Sequence, residues 1–528
     1  MEKKKEIIVL AGRAAEEELP ADPLTRKIFL KLPPPGENDN LGDVDRLCRV
    51  LAAEIGKITV PLELMRIIPS LCREAGWIVT ATVGWDNSGF RLVDLEAGNR
   101  VDRHFGLAVD LGTTTVVAYL VNLQTGRTAG VAAGINEQVK AGEDILTRIC
   151  LGSSPEGLSF LQKAAVETIN SLIAELEEKT NVKGLEISAL TVGANTAMTH
   201  FLLGLDPSRL CLAPYTPVAN RPGFLSAQAL GIGINPRAVV YCLPSVGSYL
   251  GGDVVGGILT SGMHLKSELA LFVDIGTNGE IVLGNREWLV GCAGAAGPAL
   301  EGGVAGSGRP AGPGTIASVK IDPETGEVHY ETIGGLPPVG ICGSGLVDCL
   351  AELFLNGIID RAGKFKKGDR FVIVPAGKSA TGEEIAVTQT DIDNLLRTKG
   401  AVSAALELLL ENVGCELSQI ERFYAAGAFG QFLNLESAVT VGLFPDLARD
   451  RMVRLGNSSG EGARRVLLSA RRRLEAEEIA AKITYIELNA RQDFMHKFIS
   501  SRFLPHTNLD YFPSVKRELA RRRNASFA

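Results

Sequence analysis

Two short turns in this chain carry side chains suited to holding phosphate. The first is Asp110-Leu111-Gly112-Thr113-Thr114-Thr115, and the second is Asp274-Ile275-Gly276-Thr277-Asn278. A tight turn between two strands aims backbone N–H groups at an anion. Gly112 and Gly276 permit the turn, and the hydroxyls of Thr113, Thr114, Thr115 and Thr277 and the Asn278 amide can donate to phosphate oxygens. Asp110 and Asp274 are the metal-side carboxylates, suited to Mg²⁺ held through water. Taken singly, either turn reads equally well as a plain β-turn. Taken together, each after a buried strand, they point to one phosphate site shared between two lobes.

Other residues are candidates around that chemistry. Ala425-Ala426-Gly427-Ala428-Phe429-Gly430 reads as a small-residue turn opening a helix. Gly427 and Gly430 remove side chains where a flat base and ribose would lie. Glu301, in a glycine-rich stretch, is a candidate to orient an attacking water, with a solvent-facing loop residue as the plainer reading. Asp253, after Gly251-Gly252, is a second catalytic candidate, with a helix cap as its plainer reading. Gly193, in Val192-Gly193-Ala194-Asn195, marks either a strand-to-helix turn with close packing or the inter-lobe connection, where small residues let two helices cross tightly. The six histidines show no pairing at metal-ligand spacing. Cys342 and Cys349 read as small buried residues at a helix start, and the basic residues Arg464, Arg465, Arg471 to Arg473 and Arg521 to Arg523 as solvated helix faces.

The elements that must position these groups alternate strands with helices from about residue 105 to 490, the pattern of an α/β protein. The pattern repeats: Leu107–Thr115 is echoed by Leu271–Gly279, and Leu190–Met198 by Phe423–Gly430. Two copies of one half-domain follow, in 104–265 and 266–528, the second with a basic C-terminal extension. Residues 1–103 form a small α+β front module. It is expected to hold strands over Glu6–Leu10, Thr25–Leu32, Trp77–Val83 and Gly89–Leu95. A helix over Val44–Ile55 is expected to be capped by Asp43, and a second helix to cover Pro61–Ala75.

Composition narrows the class. The 528 residues are 45% hydrophobic and 22% charged with a net charge of −7, a globular balance that gives no reason to expect nucleic-acid binding. No apolar run approaches the ~20 residues that span a bilayer, and Met1 is not followed by a secretory leader pattern, so the chain reads as cytoplasmic. Nine scattered cysteines with no Cys-x-x-Cys pair fit reduced thiols.

The paired Asp-x-Gly-Thr turns and the glycine-rich turn at Gly427 resemble the superfamily of acetate and sugar kinases, Hsp70 and actin. More narrowly, Phe105–Leu120, Val273–Glu280, Ala296–Gly302 and Gly340–Gly345, with Leu32-Pro33-Pro34-Pro35 and Gly76-Trp77 in front, are similar to the reductive activators of corrinoid proteins. That resemblance implies two RNase H-like lobes and an ATPase requiring Mg²⁺. It also implies return of Co(II) corrinoid to Co(I) on a client corrinoid protein, and a homodimer through the second lobe. Members of that family carry a [2Fe–2S] domain in front with Cys-x₄₋₅-Cys-x₂-Cys spacing. Residues 1–100 contain only Cys48 and Cys72, so no cluster is expected in this chain and a ferredoxin-type donor would act in trans. A nucleotide-sensing scaffold of a methyltransferase system, or a small-molecule kinase on the same fold, are the alternatives.

Overall fold

A computed structural model describes residues 22–276, 279–294, 305–427, 433–488 and 493–525. The chain divides into two compact units. The first comprises the described part of Arg13–Thr260 together with Ser459–Ala481, the second Ser261–Ser458 together with that of Lys482–Ala528.

In the first unit, strands β1 (Thr25–Lys31), β2 (Ile58–Thr59), β3 (Ile78–Asp86) and β4 (Gly89–Ala97) form a sheet in the order β1-β3-β4-β2. Leu47, Leu51, Leu64, Ile68 and Cys72, from the helices crossing it, bury against Val79, Ala81 and Leu92 in a separate core. Two local expectations are corrected here. The helix starts at Asp43 itself, with Gly42 as N-cap and no side-chain cap; the Asp43 carboxylate instead accepts from Arg73. Pro61–Ala75 is two helices, Leu62–Met65 and Ile68–Glu74, with Arg66 and Ile67 between them.

The same unit contains a six-stranded sheet of β5 (Phe105–Leu111), β6 (Thr115–Asn122), β7 (Thr128–Ile135), β8 (Ile187–Ala194), β9 (Phe224–Ser226) and β10 (Val239–Cys242). Its order is β7-β6-β5-β8-β10-β9, with β5 antiparallel to β6 and parallel to β8. Every residue of β8 is buried, as expected of a parallel strand covered on both faces. The helix Pro155–Thr180 packs on this sheet. Ser154 caps its start by accepting from Gly157 N, Pro155 occupies the first turn, and Leu161, Ala165, Ile169, Leu172 and Leu176 recur at helical spacing on the buried face.

In the second unit, β11 (Ala270–Ile275), β12 (Gly279–Gly284), β13 (Leu289–Gly294), β19 (Arg422–Ala426), β20 (Met452–Gly456) and β21 (Ile483–Tyr485) form a second sheet, ordered β20-β19-β11-β12-β13-β21. Aligning β11 with β5 makes five successive strands correspond in order and direction. The repeat read from the sequence is thus a repeat of sheet topology. Between β13 and β19 lie a three-stranded sheet of β14 (Thr315–Ile321), β15 (Val328–Thr332) and β16 (Gly340–Ile341), and a hairpin of β17 (Arg370–Val374) and β18 (Ile385–Thr388). Cys342 and Cys349 are buried at the start of the Gly343–Leu355 helix, as small core residues. No described helix is long and apolar enough to cross a membrane.

The candidate phosphate and metal half-sites

In the first unit the turn Gly112-Thr113-Thr114 joins β5 to β6, closed by Gly112 N donating to Thr115 O at 3.1 Å. Each of its three carbonyls accepts a hydrogen bond. Asn136 Nδ2 donates to Gly112 O at 2.9 Å, Asn136 N to Thr114 O at 2.9 Å, and Arg148 Nη1 to Thr113 O at 2.7 Å. Across a planar trans peptide the N–H points opposite to the C=O. Fixing each carbonyl therefore turns the amide that follows it away from the group holding that carbonyl, which leaves N–H groups for an anion. Thr113 is buried, and its hydroxyl accepts from Asn195 Nδ2 at 3.2 Å. Asn195 also caps the Thr196–Leu203 helix, accepting from Met198 N. Thr114 and Thr115 are half-buried at the turn.

Arg148 is fully buried and also donates from Nε to Gly142 O at 2.7 Å. It is a supporting residue that sequence reasoning missed. Its signal was faint: an arginine amid the apolar stretch Ile145-Leu146-Thr147-Arg148-Ile149.

Asp110 stands at the end of β5, beside Gly193 on the parallel strand β8. Asp253 opens the Gly252–Ser261 helix and accepts from Val254 N at 2.8 Å. It therefore stands at a helix start, the plainer of its two readings. Burial pushes Asp253 well above the ordinary carboxylate range, to about 7, and the Asp110 carboxylate adds to that rise. Two carboxylates that raise one another's proton affinity are suited to a divalent cation, whose charge offsets their repulsion. Among the described residues no group of three or more His, Cys, Asp or Glu side chains is arranged to hold a metal. A cation here would complete its shell with water and phosphate oxygens, which is Mg²⁺ behaviour.

Another side chain meets Asp110, and nothing in the sequence pointed to it. Ser459, on the Ser458–Leu468 helix, donates from Oγ to Asp110 Oδ1 at 2.8 Å. A Cβ on Gly193 would stand 2.6 Å from that Oγ, so glycine there makes room for the serine. The two helices cross where a Cβ on Gly462 would lie 2.4 Å from Gly256 Cα. Asp253 and Gly256 share one helix face, Ser459 and Gly462 the other.

In the second unit Asp274 lies at the end of β11, directly opposite Glu280 on β12. Opposed residues of an antiparallel pair share a face, so Asp274 and Glu280 form a cross-strand carboxylate pair. At the matching place in the first hairpin, Asp110 faces Val117. Gly276 follows in the turn. Gly427 ends β19 with φ of +89°, and its N–H donates to Gly456 O at 3.1 Å. A Cβ at this position would run into the Ile275 carbonyl and the Asp274 carboxylate. Thr277, Asn278, Glu301 and Gly430 lie outside the described residues.

The basic residues divide: Arg471 and Arg521 are exposed, as expected of solvated helix faces, whereas others are covered by their partners. Arg464 and Arg465 both donate to Glu461. Arg473 sits over the rings of Trp85, Phe224 and Tyr241 at 5.1–6.0 Å, and Glu477 accepts from both Arg473 and the Tyr241 hydroxyl. A cation over three aromatic faces is a packing site, not a solvated one. Arg521 and Arg522 pair with Glu518 on their own helix.

Comparison with known proteins places this architecture. Family models match along the chain: the RACo linker region over residues 14–102, the RACo middle region over 105–266, and the C-terminal domain of RACo, the ASKHA domain, over 268–516. The chain is 32% identical over 433 residues to the corrinoid activation enzyme RamQ of Eubacterium limosum, covering 78% of this chain and 72% of that protein. It is 26% identical over 408 residues to a [Co(II) methylated amine-specific corrinoid protein] reductase of Methanosarcina barkeri, covering 72% and 73%. A solved structure of a reductive activator for a corrinoid, iron-sulfur protein superposes with a TM-score of 0.89 at 42% identity, over 95% of this chain and 82% of that one. With RACo models matching its linker, middle and ASKHA regions in order, this chain belongs to the RACo family of reductive activators of corrinoid proteins.

Proposed function

We propose that this protein is an ATP-dependent reductive activator of a corrinoid protein. In this reading one electron passes from a separate ferredoxin-type donor to an inactive Co(II) corrinoid, giving Co(I) and the oxidised donor. ATP and water are converted to ADP and phosphate alongside. The reduction is uphill for ordinary donors. Nucleotide must therefore favour a complex in which cobalt accepts the electron more readily, which requires different affinities for two conformations. The observation that carries the reading is the recurrence of one half-site on two sheets of the same strand order, each with an aspartate at the end of its first strand.

Within this reading the turns Gly112–Thr115 and Gly276–Asn278 hold the phosphates, and Asp110 and Asp274 hold Mg²⁺ through water. Gly427 and Gly430 accommodate the adenosine, and Glu301 or Asp253 orients the attacking water. Bound Mg²⁺ supplies charge neutralisation at the phosphates. The protein is taken to work in the cytoplasm, as a homodimer.

The reading is tested by following the Co(II) signal of a purified corrinoid protein with reduced ferredoxin and this protein, with and without Mg-ATP. Loss of the signal only with all components supports it. A rate independent of ATP would remove the nucleotide from the mechanism.

A further inference from the structure

Ser459 occupies an unusual position for a serine at a helix start. Such serines commonly accept from the free amides of the first turn, whereas this hydroxyl donates sideways to Asp110 Oδ1 at 2.8 Å. The side chain is buried, and it stands in space that Gly193 leaves open. Its backbone is pinned by the Gly256–Gly462 helix crossing, where a Cβ on Gly256 would lie 3.3 Å from Ser459 O. Ser459 is also the residue at which the chain passes from the second compact unit, ending at Ser458, into the first.

We propose that Ser459 is a positioning residue for the metal–nucleotide site: its hydroxyl holds one oxygen of Asp110 and so sets the orientation of that carboxylate toward the hydrated cation. The inference rests on the ATP-dependent reading above. Ser459 Oγ meets Asp110 Oδ1 at 2.8 Å, in the space that Gly193 leaves open. A hydrogen bond to a charged acceptor is among the stronger polar contacts, and here the donor sits on a backbone that cannot follow the carboxylate out.

The test compares full-length wild type, Ser459→Ala and Ser459→Cys, the last keeping side-chain shape with a weak donor. ATP binding is titrated against Mg²⁺ and repeated in EDTA, and free Mn²⁺ is followed by its EPR signal as an independent measure of metal uptake. Both variants are expected to need about tenfold more metal for half-maximal ATP binding, with unchanged affinity in EDTA. An unchanged metal requirement overturns the proposal. An equal loss with and without metal also overturns it, because that marks a packing role. If Ser459→Ala does not fold, Ser459→Cys decides alone. Wild type that binds ATP without regard to metal would contradict the inference while sparing nucleotide binding; wild type that binds no ATP would sink both.

Discussion

A Cβ built on Gly427 would stand 2.7 Å from Oδ1 of Asp274 and 2.6 Å from the carbonyl of Ile275. The φ of +89° at Gly427 is itself costly for any L-residue. Glycine at this strand end is therefore what lets the Asp274 carboxylate keep its place, whatever else the turn does for a nucleotide. Gly427→Ala is expected to cost about 1–3 kcal/mol from strain and to weaken ATP binding at least tenfold by displacing Asp274. Thermal melting and ATP titration check both. Wild-type ATP affinity in a folded Gly427→Ala protein would remove Asp274 from the site.

Arg148 holds the turn between β5 and β6 through the Thr113 carbonyl. Its removal strands the carbonyls of Thr113 and Gly142, which now accept at 2.7 Å. Arg148→Met is expected to destabilise the protein by about 2–4 kcal/mol, read as a lower urea midpoint, and to weaken ATP binding. A variant as stable as wild type would mean that the turn keeps its shape unaided.

His104 sits where the front module meets the first lobe, with Nε2 3.1 Å from Thr25 Oγ1, which in turn lies 2.7 Å from Ser188 Oγ. Burial lowers its pKa to about 3, and the Lys27 charge acts in the same direction. The folded state keeps this imidazole neutral while the unfolded chain protonates it near 6.5. Its contribution is complete above that pH and is lost as pH falls from about 6.5 toward 3, at roughly 1.4 kcal/mol per unit. His104→Gln is expected to flatten that part of the acid limb in urea unfolding between pH 6.5 and 4.5. An unchanged slope would mean that other groups account for acid unfolding.

Much of this was legible in the sequence, for a physical reason. The Asp-x-Gly-Thr turns, the hydrophobic strands before them and the half-domain repeat are local patterns, and local patterns fix hairpins. The supporting residues were not legible, because their partners are distant in sequence. Ser459 meets Asp110 across 349 positions, and nothing near Ser459 announces it. Arg473 looked like one of a solvated run, yet three aromatic rings from separate segments enclose it. Asp43 had a capping residue's type and position, but Arg73 takes its carboxylate. Propensity placed the helix correctly and misassigned what its first acid does.

The most direct test of the central claim is ATP hydrolysis by the purified protein, with and without a Co(II) corrinoid protein, beside an Asp274→Ala control. The account expects hydrolysis to be stimulated by the corrinoid protein and the stimulation to vanish in Asp274→Ala. ATP bound at full affinity with no stimulation by any Co(II) corrinoid protein would contradict it, and would leave a nucleotide-sensing role in its place.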